Sequence, residues 1–394
     1  MTTSSPLDSD ISMPLGMDVD ALPTPCLLLD EGRVRRNVDR MKARLAGLGV
    51  TFRPHLKTAK CLEVARIAMT TPGGPAMVST LREAAFFAQG GVMDMIYGVG
   101  IAPGKLDRVG AIRRQWGVDL ALILDSLDQA DAVAAWVKAN GDPLPVLIEV
   151  DADGHRSGIT PGDEALLVAI GRRLVDGGAA LRGVLLHAGD SYRLDQADAI
   201  ADAAEVERMA GVAAADALRR AALPCPMVSV GSTPTARFAR SLAGVTEVRA
   251  GVFMLGDLFQ MGVGTCALED IAVSVLSTVI GHQRQKGWII VDAGWMALSR
   301  DRGTARQAVD QGYGIVCDLD GKPYGDLIVL DANQEHGIVA VRPGSTASLP
   351  DLPLDARVRI LPNHACATGA QHDRYHVLDA AGRVAAAWPR INGW

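Results

Sequence analysis

The feature that most constrains this chain is a repeated alternation of short apolar runs with longer amphipathic stretches, continuing from residue 50 to residue 250. βα units with a parallel sheet produce that pattern. The runs are "VTFRP" from 50, "AMVS" from 76, "MDMIYG" from 93, "DLALILD" from 119, "PVLIEVD" from 145, "LRGVLLH" from 181, "MVSV" from 227 and "TEVRA" from 246. Between them, stretches such as "SLDQADAVAAWVKAN" and "QADAIADAAEVERMAGVAAADALRRA" place apolar residues three and four apart, as helices with one buried face do. Eight such units predict a (β/α)8 TIM barrel. A doubly wound open sheet competes, but it usually holds fewer strands.

From residue 268 the texture changes. "IAVSVLSTVIGHQ", "GWIIVDAG", "YGDLIVLDANQEHGIVAVR" and "ARVRILPNHACATG" are β-branched runs punctuated by Gly, Asp and Pro, with little helical pattern. They predict a C-terminal mainly-β domain over 268–394. The barrel is placed over 25–267, beginning near "TPCLLLD" with Glu31 opening a helix, and residues 1–24 read as a flexible leader. A chain of 394 residues exceeds the size at which one core usually stops growing, in keeping with two parts.

Composition serves mainly to exclude. The net charge of −6 and the lack of a long Lys/Arg run argue against nucleic acid as a partner. With no uninterrupted apolar stretch of about 20 residues, the sequence argues against a membrane span. Six scattered cysteines without a CxxC pair suit reduced thiols, and the expected location is cytoplasmic.

In such barrels function gathers at the C-terminal ends of the strands. There the first run places Arg53, His55 and Lys57 on one parity, so an extended chain would turn all three to one face. Either they serve a ligand, or Arg53 and His55 pair with buried carboxylates inside the barrel. "SVGSTPTA" puts Gly231, Ser232 and Thr233 before Pro234, which reads as a helix start that offers backbone N–H groups and hydroxyls to an anion, or as a plain helix cap. Gly251 after the eighth run permits close backbone approach. A phosphate there would face Lys57 across the barrel mouth, the layout of pyridoxal phosphate held as a Schiff base. A lysine in a desolvated cationic pocket is more readily neutral and nucleophilic. In "LPNHACATG", read as a strand, His364 and Cys366 face the same way and could share one metal ion; imidazole with thiolate suits zinc. Buried Cys and satisfied His are the plainer reading.

Taken together, "RPHLKTAK", "SVGSTPT", "TEVRAGV", "NQEHG" and "PNHACATG" resemble the metal-activated pyridoxal phosphate enzymes of the alanine racemase fold type, in particular the D-threo-3-hydroxyaspartate dehydratase and D-serine dehydratase-like family, which also contains D-threonine aldolase. The resemblance covers residues 25–394. It implies that Lys57 holds pyridoxal 5'-phosphate, that Arg156 neighbours its phenolic oxygen, and that His187 and Tyr192 lie beside the pyridine or bond to the phosphate. Ser232, Thr233, Gly251 and Val252 would contact the phosphate, and Arg249 would face the pyridine nitrogen. His364 and Cys366 would hold a divalent metal: zinc, or else manganese or cobalt.

The implied reaction is dehydration of a D-3-hydroxy amino acid, with D-threo-3-hydroxyaspartate giving oxaloacetate and ammonia and D-serine a second substrate. The related aldolases look to carry His-x-Asp where this chain has His-x-Cys, which favours the dehydratase over retro-aldol cleavage. A racemase and a non-catalytic cofactor carrier are further alternatives; the β-domain with its His-x-Cys counts against the carrier. Arg300, Arg302 and Arg306 in "SRDRGTAR" either bind a substrate's second carboxylate or form a solvated loop. His336 in "NQEHG" is a candidate site residue without a derived role. The resemblance also implies a homodimer.

Overall fold

The computed structural model of the chain describes residues 16–154 and 156–394. Strand β1 (Cys26–Asp30) and helix α1 (Glu31–Gly47) precede eight strands that coincide with the eight apolar runs. These are β2 (Thr51–Pro54), β3 (Ala76–Val78), β4 (Asp94–Gly100), β5 (Asp119–Leu124), β6 (Pro145–Val150), β7 (Ala180–Leu186), β8 (Met227–Val230) and β9 (Glu247–Ala250). They pair in parallel in the order β2-β9-β8-β7-β6-β5-β4-β3. A single bridge between His55 and Met77 brings the two ends together, so the barrel is nearly closed.

Side-chain alternation explains why these runs become barrel strands. In β5, Leu120, Leu122 and Leu124 face the helical layer, whereas Ala121 and Ile123 join Met77, Ile96, Leu147 and Leu185 in a separate cluster. The helices α2 (Leu62–Ala68), α3 (Leu81–Gln89), α4 (Leu106–Trp116), α5 (Leu127–Asn140), α6 (Glu164–Asp176), α7 (Ala197–Arg220), α8 (Thr233–Phe238) and α9 (Leu258–Val263) follow the strands in turn. Several start on side-chain caps: Asp30, Thr80, Ser126 and Asp163 each accept a backbone N–H from the first turn.

The second sheet has nine strands: β1 with β10 (Val273–Gln283), β11 (Trp288–Val291), β12 (Gly314–Cys317), β13 (Pro323–Ala332), β14 (Gly337–Val341), β15 (Arg357–Pro362), β16 (Arg374–Leu378) and β17 (Val384–Pro389). Short helices α10 (Trp295–Leu298) and α11 (Ala365–Gly369) interrupt them. Two features depart from the linear division. Strand β1 pairs with β10 and β16, so the segment from 26 belongs to the second sheet before the chain enters the barrel. Residues 16–24 do not form a free end: Val19 and Leu22 are buried against Cys26, Leu28 and Leu276, and Gly16 N–H donates to Val384 O at 2.7 Å. The first fifteen residues of the expected leader lie outside the described residues.

Candidate active site

A cavity of about 1110 Å³ opens at the C-terminal end of the barrel strands. Lys57, Arg156, His187, Tyr192, Ser232, Thr233, Arg249, Gly251 and Val252 all line it, as do His364 and Cys366 from the second domain. The chain therefore brings the anticipated residues to one place.

The shared parity of the β2 residues does not give them a shared role. Arg53 turns into the barrel, where it meets Glu247 at 2.9 Å and Asp94 at 2.7 Å, with Arg53 and Glu247 each only 3% exposed. His55 and Lys57 continue into the cavity. The Lys57 side chain is reachable through the cavity mouth yet walled in by protein, and this desolvation, with Arg156 and Arg249 nearby, depresses its pKa against the opposing pull of Cys366 and Glu83. Burial likewise holds His55 well below the usual histidine range, aided by Lys57 and Arg249, so its ring is neutral.

Another part of the wall is built by the turn after β8, two strands from β2 in the sheet order. Gly231 has φ +129°, and a Cβ there would stand 2.4 Å from the Arg249 carbonyl oxygen, so only glycine fits. Helix α8 begins at Thr233, one residue earlier than the Pro234 start expected from the sequence, and Pro234 takes the second position. Ser232 spends its hydroxyl on the cap: Thr235 N–H donates to it at 3.2 Å, and Ser191 Oγ lies 2.9 Å away. The Thr233 hydroxyl is buried with no hydrogen-bond partner, while Thr233 N–H donates to the Tyr192 hydroxyl at 3.3 Å. An unsatisfied buried hydroxyl beside a helix start, in a cavity that a lysine also lines, fits an anionic phosphate group.

His187 and Tyr192 form the side of the cavity, their rings 6.3 Å apart. Burial, despite the bond to Gly231 O at 3.0 Å, pushes the His187 pKa down to about 3, with Lys57 and Arg249 adding to the shift. A neutral, flat ring there suits packing against an aromatic cofactor. Arg249 lies on the floor, donating from Nε to Ser229 Oγ at 2.8 Å and from Nη2 to Leu186 O. The donor-rich turn, the lysine and the neutral rings together fit pyridoxal phosphate.

His364 and Cys366 converge for a different reason than strand alternation. Strand β15 ends at Pro362; His364 is the extended N-cap residue of α11 and Cys366 sits in its first turn. Asp257, completely buried, fixes that turn by accepting Ala365 N–H at 2.8 Å while capping α9 through Gln260 N–H at 2.7 Å. Asp301 Oδ2 lies 2.6 Å from His364 Nδ1, which leaves the other ring nitrogen for a ligand. Burial opposes charging of His364, but Asp301 and Cys366 prevail and raise its pKa to about 11. Burial also opposes the Cys366 thiolate, and His364, Thr58 and Lys57 nonetheless hold the thiol below its ordinary range. An imidazole and a polarised thiol side by side form a donor set suited to zinc. No cluster of three or more His, Cys, Asp or Glu poised for a metal exists among the described residues.

The sequence reading missed Asp301 and Asp257, although Asp301 stands inside the arginine motif that drew notice. Of those arginines, Arg300 lies over the Trp295 ring at 4.7 Å and Arg302 pairs with Asp310 at 2.7 Å. Arg306 also lines the cavity mouth, with its side chain exposed. His336 sits exposed in the turn between β13 and β14 and does not line the cavity. No helix among the described residues is long and apolar enough to cross a membrane.

Known proteins resemble this chain over nearly its whole length. Residues 29–258 match the family "Alanine racemase, N-terminal domain", and residues 272–378 match "Putative serine dehydratase domain". The chain is 52% identical over 375 residues to the D-threo-3-hydroxyaspartate dehydratase of Delftia sp. (strain HT23), covering 95% of this chain and 98% of that one. It is 28% identical to the D-serine dehydratase of Dictyostelium discoideum, covering 96% and 98% respectively. A cysteine-to-alanine variant of D-threo-3-hydroxyaspartate dehydratase, solved in a metal-free form, superposes with a TM-score of 0.93 at 51% identity over 96% of this chain and all of that one. Matched through both its barrel and its β-domain, the chain belongs to the family in which an alanine racemase N-terminal domain is joined to a serine dehydratase domain.

Proposed function

We propose that this chain is a pyridoxal phosphate- and divalent-metal-dependent dehydratase that converts a D-3-hydroxy amino acid, foremost D-threo-3-hydroxyaspartate, to a 2-oxo acid and ammonia. The observation that carries the reading is the meeting of Lys57 and the His364/Cys366 pair on one cavity, bridged by Thr58, whose Oγ1 lies 3.2 Å from Cys366 Sγ. When bound, the cofactor would withdraw the electron pair left at the substrate α-carbon, and the metal would act as a Lewis acid toward the departing β-hydroxyl.

The protein's own contribution is placement and proton transfer. Lys57, with its depressed pKa, accepts the α-proton as a neutral amine. The turn at Gly231, Ser232 and Thr233 with Tyr192 would hold the phosphate, and neutral His187 would flank the ring. Asp301 holds the His364 ring by Nδ1, so its other nitrogen would be the one to ligate a metal. Loss of the α-hydrogen and β-hydroxyl as water leaves an enamine, and its hydrolysis takes up one water and releases ammonia, giving oxaloacetate from 3-hydroxyaspartate. Arg306 at the mouth is placed to favour a substrate with a second carboxylate over D-serine.

Zinc leads manganese and cobalt in this reading because one donor is a thiolate. Six free cysteines suit a reducing cytoplasm, and a homodimer belongs to the same proposal. Lys57→Ala protein tests the assignment: it is expected to lack both the visible absorbance of lysine-bound cofactor and turnover of D-threo-3-hydroxyaspartate. Persistent turnover would remove Lys57 from the chemistry.

A further inference from the structure

Lys57 lies on a short turn between β2 and α2, and the donors that hold this turn come from the far end of the chain. Three successive carbonyls just after the lysine are engaged. Arg390 donates from Nη2 to Thr58 O at 3.3 Å and from Nε to Ala59 O at 3.1 Å. The Tyr375 hydroxyl donates to Ala59 O at 2.9 Å, and Ile391 N–H donates to Lys60 O at 2.8 Å. Lys60 itself has φ +48°, so the turn closes through a conformation that a side-chain-bearing residue adopts only when its surroundings hold it there.

The clamp is itself tightly set. Arg390 is buried, its guanidinium lies 4.9 Å from the centre of the Tyr375 ring, and its N–H donates to Asp373 O at 2.7 Å. On its other side stands Gly369 at the end of α11, where a Cβ would come within 2.7 Å of Arg390 Nη1. Arg390 thus sits between the turn that carries Lys57 and the helix that carries Cys366. Hydrogen bonds from a charged guanidinium to these carbonyl oxygens are charge-assisted and stronger than neutral ones.

We infer that Arg390, supported by Tyr375, is a positioning residue that fixes the Lys57 turn of the barrel against the His364–Gly369 segment of the β-domain, setting the distance between the cofactor lysine and the metal pair. The inference rests on the function proposed above. A fixed spacing matters because the α-proton and the β-hydroxyl leave from adjacent carbons, and small misplacements of reacting groups cost large factors in rate. Neither Arg390 nor Tyr375 lines the cavity, so their influence runs through the backbone of residues 58–60.

The test uses full-length wild type, Arg390→Lys, Arg390→Ala and Tyr375→Phe, each stripped of pyridoxal phosphate and reloaded at a temperature where it is folded by circular dichroism. The readouts are the rate at which the visible band of lysine-bound cofactor forms, and kcat separately from KM. Arg390→Ala is expected to slow band formation and lower kcat by roughly 10- to 100-fold with KM little changed. Arg390→Lys should recover part of the loss, and Tyr375→Phe should show a smaller loss in the same direction. Should Arg390→Ala fail to fold, the Lys and Phe variants decide. Folded variants with wild-type band formation and kcat would overturn the inference. A wild-type protein that forms no Lys57-dependent band would overturn the cofactor assignment and the inference with it.

Discussion

Replacing Asp301 with alanine removes the carboxylate that holds His364 by its Nδ1. Its Oδ2 meets His364 Nδ1 at 2.6 Å, while Oδ1 receives Gly303 N–H at 2.9 Å, so the carboxylate is already fixed when the imidazole meets it. Both side chains are nearly two-fifths exposed, 39% for His364 and 38% for Asp301, so the charge interaction is screened. His364 ligates as the neutral imidazole, so the carboxylate acts on the metal complex by accepting the Nδ1 proton and fixing the ring, not by pairing with a cation. Loss of a residue that orients a metal-binding histidine weakens metal affinity roughly 10- to 100-fold, about 1.4–2.7 kcal/mol. Calorimetric titration of the cofactor-loaded protein with zinc measures this directly. Asp301→Asn keeps an acceptor without the charge and should lose less. Asp310→Ala, which breaks the 2.7 Å pair with Arg302 in the same loop, should leave zinc affinity unchanged. If Asp301→Ala binds zinc within about twofold of wild type, the orienting role is wrong.

Other expectations concern specificity, stability and pH. Arg306→Leu should lower kcat/KM for D-threo-3-hydroxyaspartate by roughly 5- to 100-fold, the loss of one charge-assisted contact at an exposed mouth, and leave D-serine nearly unchanged; equal losses on both substrates would count against a carboxylate anchor. Arg53→Leu abandons a buried Glu247 and should destabilise by about 3–5 kcal/mol in urea unfolding; a change below about 1 kcal/mol would show that Glu247 finds another partner. For the cofactor-free protein, His187 binds its proton only near pH 3 when folded but near 6.5 when unfolded. The unfolded chain therefore takes up more protons between these values, and stability present above pH 6.5 erodes as pH falls toward 3. Its cavity exposure tempers the effect to about 1–2 kcal/mol between pH 7 and pH 5. His187→Gln, which can still donate to Gly231 O, should flatten that limb, and an unchanged slope would place the titration elsewhere.

Local pattern carried the barrel because each βα unit is an independent statement of periodicity, and the eight runs correspond to strands β2 to β9. The cavity residues were legible because strand ends in this architecture converge whatever lies between them. Pairings between distant segments left no such trace. Arg53 shares parity with Lys57, yet its partner Glu247 lies 194 residues away and draws it into the barrel. Asp301 is 63 residues from His364, and no spacing rule connects them. Strand β1 joins the second sheet through β10 and β16, a choice made by partners that appear late in the chain. His364 and Cys366 were grouped by a strand alternation that the fold does not use; an N-cap followed by the first turn of a helix brings the same two side chains together. Val19 and Leu22 are too few to signal structure by period, but they find an apolar seat on the β-domain.

The most direct test of the central claim gives purified protein pyridoxal phosphate and zinc, supplies D-threo-3-hydroxyaspartate, and identifies the products by mass spectrometry with and without a chelator. Oxaloacetate and ammonia, lost on chelation and restored by zinc, are the predicted result. Glycine with glyoxylate, or dehydration indifferent to the chelator, would contradict it.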